Sequence, residues 1–400
     1  MSDAPHPVAA PKRKFLAKLA SAAKLVAVNL LVFAVLAELV SIVLVHRRSW
    51  PASRPTYHLG YNEFWADINP VFGVWHRPNG VFYHKGGCFD VTYTTNSYGA
   101  RDRERSLHAP LPRTIVLGDS MIEGLGIPDD ARLTNMMEKD TGIEHLNFGT
   151  SGNFGPLQYE LLYKTLASWF DHNLAMVGVL PDNDFRDMDY AYWKSIGEGN
   201  RYRPYYAPDL SVFYAGRFNP REGDAAWDRA EAILRAYLAS YHVGQYIYAR
   251  YYWRNLHAYS GYNDFNEVDM ARLKKSLLDA RAVANAHGAK LAVFLIPGAR
   301  DFMRLHDAGT NRLGPLLERW GAENGIPTKD LLPPMDADSG GDFMSYFLPC
   351  NGHWSRRGNR VAAGILEPWL GEKPAAGNTA APRTKRRFST KSRSCMRKST

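Results

Sequence analysis

Four short stretches of the chain carry hydroxyl, amide and imidazole groups at positions a folded sheet could bring together. Gly118-Asp119-Ser120 follows a compact apolar run, Thr114-Ile115-Val116-Leu117. Asn147-Phe148-Gly149-Thr150-Ser151-Gly152-Asn153 closes a second run that starts at Glu144. Pro181-Asp182-Asn183-Asp184 ends a third, Ala175 to Leu180. Cys350-Asn351-Gly352-His353-Trp354-Ser355-Arg356-Arg357-Gly358-Asn359 stands near the end of the patterned part of the chain. A serine between a strand and a helix presents its hydroxyl near the positive end of the helix dipole, where an adjacent base can activate it as a nucleophile. Singly, each group has a plainer reading: Ser120 as a helix cap, Gly152 as a turn, Asn183 as a capping amide, His353 as a surface imidazole. Their shared placement carries the chemical reading. The histidines are otherwise scattered, with no H-x-H or H-E-x-x-H pattern. Neither a catalytic metal nor a cofactor is therefore expected.

The elements that must position these groups alternate. After the three apolar runs comes a fourth, Lys290 to Ile296, ended by Pro297, and a weaker fifth near Ile326-Pro327-Thr328. Between the later ones, Val268 to His287 is an amphipathic helix closed by Gly288, and a second helix runs from about Arg312 to Asn324 before Gly325. Strands alternating with helices imply a parallel sheet covered on both faces. The expected fold is a flavodoxin-like, three-layer α/β/α domain over 111–372 with a five-stranded parallel sheet. Ligands in such folds bind beyond the carboxyl ends of the strands, where the four stretches fall. Residues 46–110, rich in Pro, Gly, Tyr and Trp, read as an irregular extension. Residues from about 185 to 264 break the rhythm and are crowded with aromatics, among them Tyr205, Tyr206, Tyr246, Tyr248, Tyr251, Tyr252 and Trp253. They read as an insertion over the strand ends, helical from Ala225 to Leu256, with aromatics that serve as core or as platforms for sugar rings.

The ends of the chain differ from its middle. The net charge of +9 resides in the termini: 374–400 holds eight Lys/Arg and no acid, while 49–373 holds 34 basic and 38 acidic residues. A mildly acidic folded part gives no support to nucleic-acid binding. The apolar run Leu25 to Val45 has the length of a bilayer-spanning helix, about 20 residues. Its Leu, Ile, Val and Phe residues outweigh the cost of Asn29 and Glu38. Five basic residues precede it (Lys12, Arg13, Lys14, Lys18, Lys24), against Arg47, Arg48 and Arg54 after it. The positive-inside rule then places 1–24 in the cytoplasm and the rest outside, on a single-pass anchor. A cleaved signal peptide is the competing reading, opposed by the length of the run. Residues 373–400 read as a basic disordered tail. Three cysteines match no zinc motif; Cys88 and Cys350 form a possible disulfide or remain two buried thiols, with Cys395 in the tail.

The four stretches together resemble the SGNH/GDSL hydrolases over about 96–370, in the type linked to bacterial membranes. Ser120 falls in GDS, Gly152 in N-x-x-x-S-G, Asn183 in x-N-D and His353 in H-W-S-x-x-G-N, while Asn96 to Asp102 matches the N-x-x-G-x-R-[DE] stretch of membrane-linked members. The resemblance implies that Ser120 attacks an ester carbonyl and His353 takes its proton. It also implies an oxyanion hole formed by the backbone N–H groups of Ser120 and Gly152 and by the Asn183 amide. One departure stands out: where the family usually carries an Asp shortly before the histidine, this chain has Asn351 and Cys350. The readings are a Ser–His dyad with the Asn351 amide orienting the ring, an acid from elsewhere (Asp338 or Asp342), or an inactive site. The expected function is removal of acyl groups, O-acetyl foremost, from a cell-surface glycan or lipid on the periplasmic side of a bacterial inner membrane. Acyl transfer through the same site and non-catalytic glycan binding or assembly are the alternatives.

Overall fold

A computed structural model describes residues 11–47, 50–59, 64–199, 201–218, 226–253 and 259–371. Residues 1–10, Arg48 and the basic tail 373–400 with Cys395 lie outside the described residues, as do the side chains of Tyr252 and Trp253.

The sheet is built from β5 (Arg113–Gly118), β6 (Glu144–Gly149), β7 (Leu174–Val179), β10 (Lys290–Leu295) and β11 (Thr328–Asp330). All neighbouring pairs are parallel, in the spatial order β6-β5-β7-β10-β11. In chain order of these five strands this is the 2-1-3-4-5 arrangement of a flavodoxin-like sheet, as the sequence pattern predicts. The apolar runs are continuous because both faces are covered. Ile115, Val116 and Leu117 have no exposed surface, and each such side chain contributes about 1.5–3 kcal/mol on burial. Helix Pro156–Thr165 packs on helix Glu267–Ala286 over the sheet, and helix Arg356–Trp369 packs against Leu133–Thr141. The observed strand and helix limits lie within one or two residues of the predicted ones. The exception is the fifth strand, which begins at Thr328 because Ile326 still closes the preceding helix through its N–H to the Gly321 carbonyl.

Residues 46–110 are more regular than their composition suggests. They hold two antiparallel hairpins, β1 (Trp65–Asn69) with β2 (Gly73–His76) and β3 (Val81–Lys85) with β4 (Asp90–Thr94). In the first hairpin β2 is buried at every position, which removes the alternation that marks a strand. The insertion contains a third hairpin, β8 (Arg203–Tyr206) with β9 (Val212–Ala215), and two helices, Ala226–Tyr237 and Ala239–Trp253. The expected single helix breaks at Leu238 because the N–H groups of Ala239 and Ser240 are taken by Glu38, 2.8 and 2.9 Å away. Tyr205 and Tyr206 are core residues, whereas Tyr248 and Tyr251 face outward. Helix Pro11–His46 contains an apolar stretch long enough to cross a membrane.

Candidate active site

The sheet order sets the site. Strands leave in opposite directions from β5 and β7, so the segments after them open the crevice that doubly wound sheets use for ligands. Ser120 follows β5, Asn183 follows β7 and Gly152 follows β6.

Ser120 opens a one-turn helix, Ser120–Glu123, capped by Asp119, whose Oδ1 accepts the Met121 N–H at 2.9 Å. The capping role thus belongs to Asp119, which leaves the serine hydroxyl free for other work. That helix lies against the sheet because Gly149 has no side chain: a Cβ there would overlap the Glu123 backbone nitrogen. Ser120 Oγ stands 2.8 Å from His353 Nε2. The imidazole is carried on a tight loop, with the Leu348 N–H on the His353 carbonyl at 2.7 Å and the Ser355 N–H on the Tyr346 carbonyl at 2.7 Å. The rest of the H-W-S-x-x-G-N block builds this support. Trp354 is buried, Ser355 caps the final helix through the Gly358 N–H, and the Asn359 Oδ1 accepts the Leu133 N–H at 3.0 Å. Cys350, three residues before the histidine, is disulfide-bonded to Cys88 in the turn between β3 and β4, so the loop is tied covalently to the N-terminal hairpins.

His353 Nδ1 is buried and makes no hydrogen bond. The Asn351 amide does not orient the ring; its Oδ1 accepts the His353 backbone N–H at 3.2 Å. Asp338 accepts from the Tyr346 hydroxyl at 2.7 Å and Asp342 faces Arg357 at 3.5 Å, so neither serves the imidazole. Burial pulls the His353 pKa down to about 4, partly opposed by the Glu123 charge and by the Asn351 backbone carbonyl. A serine hydroxyl that donates to Nε2 requires the proton on Nδ1, the tautomer that leaves Nε2 open to accept. The acid limb of kcat/KM is therefore expected near pH 4, with a plateau above about pH 5, since only neutral imidazole is a base. An Asn351→Asp carboxylate beside the ring should stabilise the imidazolium and move that limb upward. A pH–rate profile of both proteins checks this; identical limbs, or a wild-type limb at the ordinary histidine value, would sink it.

Asn183 directs its Nδ2 to Asp119 Oδ2 at 3.3 Å and Asp187 Oδ2 at 2.9 Å, while its Oδ1 is buried without a partner. To hold an oxyanion the amide must release one carboxylate, and the longer contact to Asp119 is the weaker. Gly152 sits at φ +100°, a conformation L side chains rarely adopt, and a Cβ there would stand 3.0 Å from Arg201 Nη2 and 3.1 Å from Val74 Cγ1. Arg201, from the insertion, thus brings a cation beside Gly152.

Burial and the neighbouring Asp187 push the Asp119 pKa up to about 7, against the Met121 N–H and Asn183 bonds. Asp184 and Asp187 are also raised, again chiefly by burial. A raised carboxyl binds its proton more tightly in the folded state, so stability falls as pH rises from about 4 toward 7. For Asp119 alone the shift is worth about 4 kcal/mol. Carboxyls lowered in the fold, such as Glu138 and Glu144, act in the opposite sense, below their ordinary value. Histidines held down by burial, His353 among them, oppose this below their ordinary value of about 6.5, so the denaturation midpoint should fall between about pH 6.5 and 8, and Asp119→Asn, which keeps the cap, should flatten the slope. A midpoint that rises over this range would contradict the assignment.

Several supporting residues carry no sequence signal. Glu123, fully buried, receives the Ser151 N–H and hydroxyl, the Trp65 indole N–H at 3.1 Å and an ion-pair contact from His76 at 3.3 Å. It fixes the residue before Gly152. Arg203, also buried, donates to the Asn153 carbonyl, to Gln158 at 3.2 Å and to Asp187 at 3.3 Å, tying the insertion to the Gly152 and Asn183 loops. Only the charged character of Glu123 inside an otherwise buried turn could have pointed to it.

Ser120 and His353 thus meet at the switch point of a doubly wound α/β sheet, where a hydroxyl beside an imidazole can be activated. No family model and no curated protein matches the sequence. Among solved structures the chain is similar to a member of the lipolytic G-D-S-L family from Veillonella parvula, at 14% identity and a TM-score of 0.36, covering 64% of this chain and 97% of that one. It is similar also to a GDSL-like lipase from Bacteroides thetaiotaomicron, at 13% identity and TM-score 0.34, covering 66% and 92%. A lipase/acylhydrolase from Enterococcus faecalis aligns at 14% identity and TM-score 0.32, covering 66% and 98%.

Proposed function

We propose that this chain is a membrane-anchored serine esterase of the SGNH kind, with 111–372 as its catalytic unit. It removes acyl groups, O-acetyl foremost, from a glycan or lipid at the outer face of a bacterial inner membrane. The observation that carries the reading is the 2.8 Å approach of Ser120 Oγ to His353 Nε2 at the carboxyl end of the sheet. Ser120 Oγ attacks the ester carbonyl as its proton passes to Nε2; the tetrahedral oxyanion forms beside Gly152, Asn183 and the Arg201 cation. Collapse expels the alcohol, which takes the proton back from His353, and leaves an acyl-serine. Water, activated by the same imidazole, then releases the acid. A sugar hydroxyl in place of water would make the same site an acyltransferase. The bare Nδ1 of His353 favours a second reading, a degenerate site retained for glycan binding.

The test is hydrolysis of p-nitrophenyl acetate by the full-length protein in detergent beside Ser120→Ala, with glycan hydroxyl acceptors added to detect transfer. Turnover that Ser120→Ala does not change would sink the esterase reading. Binding of an acetylated glycan without turnover would favour the second reading.

A further inference from the structure

Glu38, the acid inside the apolar run, has a defined partner. Its carboxylate takes the N–H groups of Ala239 and Ser240, orphan donors at the start of helix Ala239–Trp253. From there that helix runs alongside the end of the anchor. Val45, Ala52, Ala239 and Val243 form a buried cluster, and Trp50 meets Tyr246 with ring centroids 5.8 Å apart. The preceding helix, Ala226–Tyr237, returns beside it: the His242 ring bonds the Arg235 carbonyl at 2.7 Å and the Tyr241 hydroxyl donates to Glu231 at 2.7 Å. The two helices form a hairpin with its tip at Leu238. At about 1.5 Å per residue, the step from Glu38 to Val45 sets that tip roughly 10 Å inside the end of the apolar run.

Among the described residues the hairpin shows an exposed apolar stripe, with Arg229, Gln245 and Arg250 exposed beside it. Gly244, Ile247, Tyr248 and Tyr251 recur at i, i+3, i+4 and i+7, with the last three 52%, 62% and 80% exposed. Trp227, Ile233, Tyr237 and Leu238 are exposed on the first helix and at the tip. The anchor is itself exposed and apolar on the side away from Glu38, where Leu36, Val40 and Val43 are all more than half exposed. A helix that begins at bilayer depth has no water for its first N–H groups and needs a protein acceptor. A carboxylate at that depth is retained where it faces protein and is bonded. Glu38 meets both conditions, and tyrosines suit the headgroup level.

We infer that the hairpin 226–253 is a second membrane contact, seated in the outer leaflet with its tip among the acyl chains, and that Glu38 is the peg that sets its depth. This rests on the anchor crossing the bilayer and is independent of the Ser120 chemistry, so its failure and that of the esterase reading are read in separate assays.

The test uses the full-length protein with Cys395→Ser, in vesicles of phosphatidylethanolamine and phosphatidylglycerol, carrying one nitroxide at a time. The labels are attached at Leu238→Cys, Ile233→Cys, Tyr248→Cys, at Leu31→Cys as a bilayer reference and at Leu316→Cys in the catalytic domain. Leu238 and Ile233 labels should be relaxed by oxygen, as Leu31 is, with an oxygen-to-nickel ratio several-fold above that of Leu316; Tyr248 should fall between. A Leu238 label as open to soluble nickel as Leu316, or shielded from both reagents by a protein partner or second copy, would overturn the inference. Glu38→Ala should shift Leu238 toward nickel while Leu31 stays in lipid. An unchanged Leu238 profile would remove the role given to Glu38.

Discussion

Ser120→Ala is expected to lower kcat for ester hydrolysis by at least about a hundredfold while leaving the denaturation midpoint nearly unchanged. The size follows from what surrounds the histidine. In a complete serine triad, loss of the nucleophile costs roughly 10⁶ in kcat, and replacing the orienting Asp by Asn costs about 10⁴. A site whose His353 Nδ1 meets no carboxylate begins with a deficit of the second kind. About 10² is then left for the nucleophile itself to supply. The two limits carry different meanings. A loss near 10⁶ would show that an acid reaches Nδ1 once substrate is bound. A loss under tenfold would remove Ser120 from the chemistry and leave the pair a structural hydrogen bond. Stability should be spared because an alanine at this half-buried position forfeits one bond to His353 and little packed volume. Steady-state kinetics on p-nitrophenyl acetate, with denaturation of both proteins in the same detergent, reads both quantities.

The parts of the fold that repeat a local rule were legible in the sequence. The strand runs and the helix after Asn266 announce themselves through composition and period, and the sheet rule then nominated Ser120, Gly152 and Asn183 without any contact being known. The short hairpins were not legible: β2 and β8 are buried throughout and alternate with nothing, and each strand is only four or five residues long. Residues whose work is long-range were silent as well. Glu123 sits three positions after Ser120 and looks like a helix acid, yet it holds Ser151 and Trp65 from distant segments. Glu38 looks like a flaw in an apolar span because its partners, Ala239 and Ser240, lie two hundred residues away. Asn351 shows the converse error. Its proximity in sequence suggested the imidazole, whereas its side chain turns back onto the backbone of its own loop. The disulfide falls between these cases: pairing Cys88 with Cys350 followed from which cysteines remained, and only the fold shows that the bridge ties the β3–β4 turn to the histidine loop.

Arg101, matched in sequence as part of a motif with no stated role, carries the second large effect. Its side chain is fully buried and faces the turn that follows Ser120. Nη1 donates to the carbonyls of Glu123 and Gly124 at 3.0 and 2.5 Å, and Nη2 to that of Ile127 at 2.7 Å and to Asp129 at 3.2 Å. The guanidinium lies 3.7 Å above the Tyr93 ring. The rest of the motif presents it: Asn96 Oδ1 accepts the N–H groups of Tyr98 and Ala100, both at 3.0 Å. Gly99, at φ +81°, lets the chain pass against Trp75 and the His76 carbonyl. Arg101→Met would keep the volume and leave the carbonyls of Glu123 and Ile127 without their donor, while that of Gly124 keeps the Ile127 N–H at 3.2 Å. At about 1–3 kcal/mol for each of the two buried acceptors left unpaired, the expected loss is about 2–6 kcal/mol. One term opposes this. Arg132 is held down to about 10 by burial and by the charge of Arg101, so removing that charge relieves a repulsion and draws the loss toward the lower figure. Against a total stability of about 5–15 kcal/mol even about 2 is a large share, and the Ser120 turn should loosen before the rest. Arg101→Lys should recover little, since an ammonium cannot span carbonyls the planar fork reaches together. Urea denaturation of the full-length protein with its disulfide intact measures the loss, and kcat at low urea reads the nucleophile's turn. A midpoint for Arg101→Met within about 1 kcal/mol of wild type would mean that water or neighbouring donors replace the guanidinium, and the motif's role would have to be sought elsewhere.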